Sequence, residues 1–228
     1  MQTTLDSQKK LLAKLQPLIA LFILCLIIGF LSDKFFTVSN FWNVLRQISV
    51  NICISVGMTL VVLMAGIDLS VGSVLALCGA VTAGLFKMGI EVPSQNLYVG
   101  FTLFGAALAG ILTGALLGFF NGFVITRFKV PSFVATLAML TVARGLTMLW
   151  TKGFPISGLG EQFAYLGTGW FIGVPVPVWI SAVVVAAAIF ISDKTKLGRY
   201  IYAIGGNENA SLLSGINITK VKLTVYTL

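Results

Sequence analysis

From Ile48 to Phe86 the chain carries a single charged side chain, Asp68, between Arg46 and Lys87. A bilayer core about 30 Å thick is crossed by roughly 20 helical residues, so this tract is long enough to cross twice. The chain must therefore turn inside it, and the turn falls at Asp68. The residues there, "GIDLS" from Gly66 to Ser70, are too short and too uncharged for an ordinary exposed loop. Irregular backbone at membrane depth persists only where protein or a water-filled cavity satisfies its polar groups. The expectation is a broken helix with Gly66, Asp68, Ser70 and Gly72 around the break.

The rest of the chain agrees. Of 228 residues, 57% are hydrophobic and 10% charged, against roughly 25% charged in soluble domains. The fold class is an all-α integral membrane protein, a multi-span helical bundle in one domain over 1–228. Six full spans are read, near Leu15–Leu31, Ile48–Ala65, Val71–Phe86, Tyr98–Ile125, Phe133–Trp150 and Val178–Ser192, with Leu223–Leu228 opening a seventh. The first tract has no A-x-A-like cleavage site behind it and reads as an anchor.

The 15 Lys and Arg against 7 Asp and Glu give +8, which records topology rather than a nucleic-acid partner. Cytoplasmic loops collect Lys and Arg. With the N-terminus inside, Lys9, Lys10, Lys14, Arg127, Lys129, Lys194, Lys196, Arg199, Lys220 and Lys222 are inner, and Lys34, Arg46, Lys87 and Lys152 outer. The flipped chain reverses that excess.

Several chemistries are excluded. With no histidine there is no Ser-His-Asp triad and no zinc-protease helix. The three cysteines, Cys25, Cys53 and Cys78, stand singly in apolar tracts and indicate neither a disulfide framework nor a metal site. No phosphate-binding G-x-x-x-x-G-K-[ST] loop occurs, so any ATP must be handled by another chain. Asn217-Ile218-Thr219 fits a glycosylation sequon but falls on an inner segment.

Two further patterns concern packing and docking. Gly110, Gly114, Gly118 and Gly122 repeat every fourth residue, a small-residue stripe that lets another helix approach, within the chain or in a second copy. The outer loop from Thr151 to Pro177 holds Phe154, Phe163, Tyr165, Trp170 and Phe171, either interface anchors or a docking surface. The inner segment 193–222 is the longest polar stretch, and its "NENASLLSGI" reads as a short helix opened by Asn207 and closed by Gly215.

"GMTLVVLMAGIDLSVGSVLAL" from Gly57 and "GRYIYAIGGNENASLLSGINITKVK" from Gly198 closely resemble the permease subunits of bacterial ATP-binding-cassette sugar importers, those for ribose most of all. "FFTVSNFWNVLRQISVN", "FVATLAMLTVARGLTML" and "GVPVPVWI" extend the likeness over nearly the whole chain. The resemblance implies a translocation path for sugar in the bacterial inner membrane, N-terminus cytoplasmic, and no catalytic residues or cofactor in this chain. It implies as partners a cytoplasmic subunit that binds ATP and Mg, an extracytoplasmic sugar-binding protein, a second permease copy and lipid. Its coupling segment maps to Gly205–Gly215: Gly205 and Gly206 as the opening turn, Asn207, Glu208 and Ala210 facing the ATPase, Leu213 and Gly215 closing. The family continues for several spans beyond this loop, so the chain reads as C-terminally truncated relative to it.

Two alternatives stay open at this point, a secondary carrier using Asp68 for ion coupling and a non-functional truncated permease. A carboxylate at a span's centre costs about 2.5 to 3.5 kcal/mol and needs a partner. N–H groups near Ser70 to Gly72 would supply one, so Asp68 is expected to cap the second half of the break in preference to touching sugar. Glu208 is expected to favour its own helix dipole and to meet a basic residue of the ATPase.

Overall fold

The computed structural model describes residues 2–92 and 97–228, with side chains over 15–90 and 98–228. The chain divides into two compact units, Met1–Gln47 and Ile48–Leu228.

In the first unit, α1 spans Gln2–Leu31 and α2, Val38–Leu63, begins. Thr37 accepts from the Asn40 N–H at 3.3 Å, and Asn40 Nδ2 donates to the Phe35 carbonyl at 2.8 Å. The first satisfies an N–H that the start of α2 would leave unpaired, and the second ties the preceding turn to it. Arg46, expected in an outer loop, therefore lies within α2.

The second unit contains the remainder of α2, then α3 (Val71–Met88), α4 (Leu103–Arg127), α5 (Ser132–Thr151), α6 (Gly160–Thr168), α7 (Val176–Lys194), α8 (Lys196–Gly206), α9 (Glu208–Leu213) and α10 (Ile218–Thr227). Among the described residues five helices, α2, α3, α4, α5 and α7, are long and apolar enough to span a membrane. The expected six full spans reduce to these five plus a shorter apolar stretch, Leu15–Leu31 of α1. The molecule is a multi-span helical membrane protein.

It is not purely α. Two antiparallel hairpins, β1 (Ile90–Val92) with β2 (Leu97–Val99) and β3 (Trp170–Phe171) with β4 (Val174–Pro175), occupy loops between spans. Tyr98, expected to open the fourth span, lies in β2 instead. At the second turn Ile172 and Gly173 both have positive φ, 49° and 72°, the twist that tight hairpins favour.

α3 packs along α4 and α5, and α10 along α4. The glycine stripe of α4 serves two neighbours. A Cβ on Gly110 would overlap Thr82 Oγ1 of α3, and one on Gly114 would lie 3.1 Å from Cys78 Sγ. Further along, a Cβ on Gly118 would overlap the Tyr226 carbonyl oxygen, and one on Gly122 would lie 3.1 Å from Leu223 Cα of α10. By contrast α7 is almost wholly unburied along its apolar length, 6% against 28% for α3. Its exposed face is apolar, as lipid contact requires.

The compact core sits at one end of the bundle. Leu60, Val61 and Met64 of α2 and its end meet Ile125 of α4, Ile201 and Ile204 of α8, and Val221 and Val225 of α10. The helix break and the polar segment 193–222 therefore share a foundation. At the opposite end Trp150 Nε1 donates to the Ala80 carbonyl at 2.9 Å, Lys87 Nζ to the Ser157 carbonyl, and Phe86 stacks on Phe163.

Candidate functional site

The break between α2 and α3 runs over Met64–Ser70. α2 stops because Ala65 turns left-handed, φ 57°. The Gly66 N–H then reaches the Val61 carbonyl at 3.0 Å and the Ala65 N–H that of Val62 at 2.8 Å. This is the bonding of a Schellman stop, with alanine where glycine is usual. Beyond it the backbone leans on α5. Ile67 N–H donates to Ser132 Oγ and Leu69 N–H to Thr136 Oγ1, both at 3.1 Å. Thr136 is fully buried and bonds Ser132 O of its own helix at 2.9 Å.

Asp68 completes the break. Its Oδ1 accepts from Ser70 N–H at 2.7 Å and from Ser70 Oγ at 2.6 Å. Asn121 Nδ2 of α4 donates to the same Ser70 Oγ at 3.1 Å. The carboxylate thus bonds the residue just before α3 rather than the first helical N–H groups, and Ser70 makes no side-chain cap itself. A carboxylate accepting two hydrogen bonds at this depth has part of its lost hydration replaced. Gly66 presses on the Tyr226 hydroxyl, which a Cβ would meet at 2.9 Å. Gly72 stands apart, with open space where a Cβ would go.

The second feature is α9. Asn207 Oδ1 accepts from Ala210 N–H at 2.9 Å, a helix-opening cap. Gly215, φ 81°, closes it, with Gly215 N–H to the Leu212 carbonyl at 3.0 Å and Ile216 N–H to that of Ser211 at 3.1 Å. That pair of bonds satisfies carbonyls that the helix end would leave bare. Ala210 is exposed, and Leu213 is 89% exposed, the most exposed large apolar side chain of the segment.

Two expectations for this segment change. Gly205 and Gly206 do not form a turn; they are the last residues of α8, whose amphipathic pattern buries Gly198, Ile201 and Ile204. Helix continues there because Gly205 lets α8 touch the end of α2, where a Cβ would overlap the Leu63 carbonyl oxygen, while Gly206 has nothing within 4 Å. And Glu208 meets a basic residue of its own chain: Lys222 Nζ of α10 bonds Glu208 Oε1 at 2.7 Å. An exposed pair of this kind contributes only about 0.2 to 1 kcal/mol.

A cavity of about 670 Å³ lies between the two features, lined by Gly66, Lys129, Ser132, Gly205, Glu208 and Lys222 among others. A second, of about 610 Å³, runs beside α3 and α4 past Asp68, Ser70, Thr82 and Asn121. Tyr226 lines both. Its hydroxyl makes no hydrogen bond of good geometry, although Ser132 is close enough to interact with it. Asp68 is thus on the wall of one cavity, while Gly205, Gly206, Asn207 and Glu208 line the other.

Ser132, Thr136, Asn121, Lys222 and Tyr226 were not singled out in the sequence. Ser132 and Thr136 sit four apart, hence on one helix face, and Asn121 is the one amide in α4; both signals were present. The pairing of Lys222 with Glu208 leaves no such trace.

The family model for the branched-chain amino acid transport system permease component matches residues 40–228. The ribose import permease protein RbsC of Haemophilus influenzae is 46% identical over 221 residues, 95% of this chain and 65% of that protein. The protein of the same name from Escherichia coli K12 is 47% identical over 224 residues, 96% of this chain and 66% of that one. That of Bacillus subtilis is 42% identical over 217 residues, 94% and 64%. The chain thus spans just under two thirds of the length of these relatives. No solved structure matches it. With a family match over both the helix break and the α8–α10 segment, the chain belongs to the branched-chain amino acid transport system permease component family.

Proposed function

We propose that this chain is the membrane-spanning permease part of an ATP-driven sugar importer, with ribose as its cargo. The observation that carries the reading is identity of 46 to 47% with ribose import permeases over 95 to 96% of the chain. Asp68, Ser70, Gly66 and Gly72 border the translocation path at the helix break. A cytoplasmic ATP-binding subunit docks on α9 and its surroundings, from Gly205 to Gly215, and supplies ATP and Mg, because this chain carries no phosphate loop. Leu213 and Ala210, exposed on a helix that caps itself, suit such contact.

The membrane is the bacterial inner membrane, with the N-terminus and α8–α10 cytoplasmic. The apolar part of α1 crosses as well, and α10 opens a further crossing. An extracytoplasmic binding protein delivers the sugar, and the exposed apolar faces meet lipid and a second copy. Single cysteines at Gly158 and Asn207 in a cysteine-free background test the orientation: an impermeant thiol reagent on intact cells should label 158 and spare 207. The function is tested with the full chain purified from cells that also hold its neighbouring genes' products. An ATP-hydrolysing subunit should copurify, and vesicles of the complex should take up ribose when binding protein and ATP are on opposite sides. Uptake without ATP, or no copurifying ATPase, refutes the reading.

A further inference from the structure

We propose that Lys222 is a positioning residue that clamps the coupling helix α9 onto α10, so that displacement of α9 reaches the helix break through Tyr226. This rests on the reading of α9 as the ATPase-docking element. Lys222 holds Glu208, in the first turn of α9, at 2.7 Å. Four residues on along α10, hence on the same face and one turn away, Tyr226 places its hydroxyl against Gly66. One side of one helix thus touches both the docking element and the break.

α10 is built to move as a unit. Asn217 Oδ1 accepts from Lys220 N–H at 2.9 Å and caps its start. Lys222 is only 19% exposed against 51% for Glu208, so its stem is anchored in the protein while the carboxylate comes to it. Along α4, Gly118 and Gly122 bring the two backbones into contact. The close approach, with Ile125 of α4 packed against Val221 and Val225, holds α10 along α4. At the other end of the lever, Gly66 follows the left-handed Ala65 and precedes the backbone that Ser132 and Thr136 hold. A shift of Tyr226 must be taken up there or transmitted to Asp68 and α3.

The test is charge exchange in the full chain assembled with its ATPase and binding protein. Glu208→Lys and Lys222→Glu should each lower sugar uptake about tenfold, and the double exchange should return it to within about threefold of the parent, since only contacting residues couple in this way. Glu208→Gln, which keeps the side chain's size, stands in for a single variant that fails to accumulate. Hydrogen exchange of the α9 amides, which needs no partner, should quicken in the singles and slow again in the exchange. A double variant no better than the singles overturns the clamp, as does α9 exchange unchanged in all three. Loss of the ATPase with Glu208→Lys that persists in the double variant also overturns it, because Glu208 would then face the partner directly. A parent protein that binds no ATPase refutes the docking reading instead, and α9 exchange still decides the clamp.

Discussion

Two interruptions of helix lie at the same end of the bundle and are held in opposite ways. The break at Met64–Ser70 depends on other helices: Ser132 and Thr136 take two of its N–H groups, and Asn121 reaches the serine that Asp68 bonds. The turn around α9 is closed mainly from within, through Asn207, Gly215 and the bonds that end the helix, with Lys222 of α10 adding a bond to Glu208 from outside. A segment held from outside moves when its neighbours move. A segment that is capped from within can be pushed as a rigid piece. The first can yield with its neighbours, and the second keeps its own shape.

The sharpest way to break this pairing is at the joint between them. Gly205→Ala would drive a Cβ into the Leu63 carbonyl oxygen, backbone against backbone, whereas Gly206→Ala meets open space. Overpacking of that sort costs about 1 to 3 kcal/mol or more. Gly205→Ala should lower the thermal-inactivation temperature in detergent and the yield of monodisperse protein, with Gly206→Ala close to the parent. Equal behaviour of the two would mean that α8 and α2 do not need this contact.

A smaller loss should follow at the break itself. Thr136→Val keeps shape at a fully buried position but takes the acceptor from the part-buried Leu69 N–H, a cost of up to about 1 to 3 kcal/mol. Thr136→Ser should retain most of the stability. For Asp68 the same logic separates two variants. Asparagine can still accept from Ser70 N–H and Oγ, so Asp68→Asn should keep normal membrane abundance, while Asp68→Leu should reduce abundance. Normal abundance of the leucine variant would show that the break does not need an acceptor there.

How much of this was legible in the sequence follows the same division. The start and end of α9 could be read from Asn207 and Gly215 because the caps are local, three residues from their targets. The existence of the break was legible from a tract too long for one crossing whose single charge, Asp68, sits near its middle. Its partners were not, since Thr136 lies 67 residues from Leu69, and no local pattern joins them. The same holds for Glu208, whose partner is 14 residues away on another helix. α8 was missed for a different reason: the resemblance placed an opening turn at Gly205 and Gly206, whereas both are helical, and Gly205 there lets α8 approach Leu63 closely. Arg46 and Tyr98 were misplaced because span ends were drawn where hydrophobicity ends, whereas helices and strands end where their hydrogen bonds do.

The smallest effect is expected where structure is most local. α9 has six residues, too few to persist alone in water, so its caps and its neighbours share the task of holding it. Removing a capping side chain costs about 0.5 to 2 kcal/mol in general, and Asn207 is exposed, so water can replace its bond to Ala210 in part. Asn207→Ala should therefore quicken hydrogen exchange of the amides of Glu208–Leu213 by about tenfold, near the middle of that range. Asn207→Asp should restore it, because an aspartate accepts from the same N–H. The decisive reading is elsewhere: exchange at Ile67, Leu69 and Ser70 should not change in either variant, because their acceptors are Ser132, Thr136 and Asp68 and none of these touches Asn207. If loosening α9 also loosens those three amides, the two interruptions form one cooperative unit and the contrast between external and internal support fails. If only α9 responds, this short helix can be reshaped without disturbing the break.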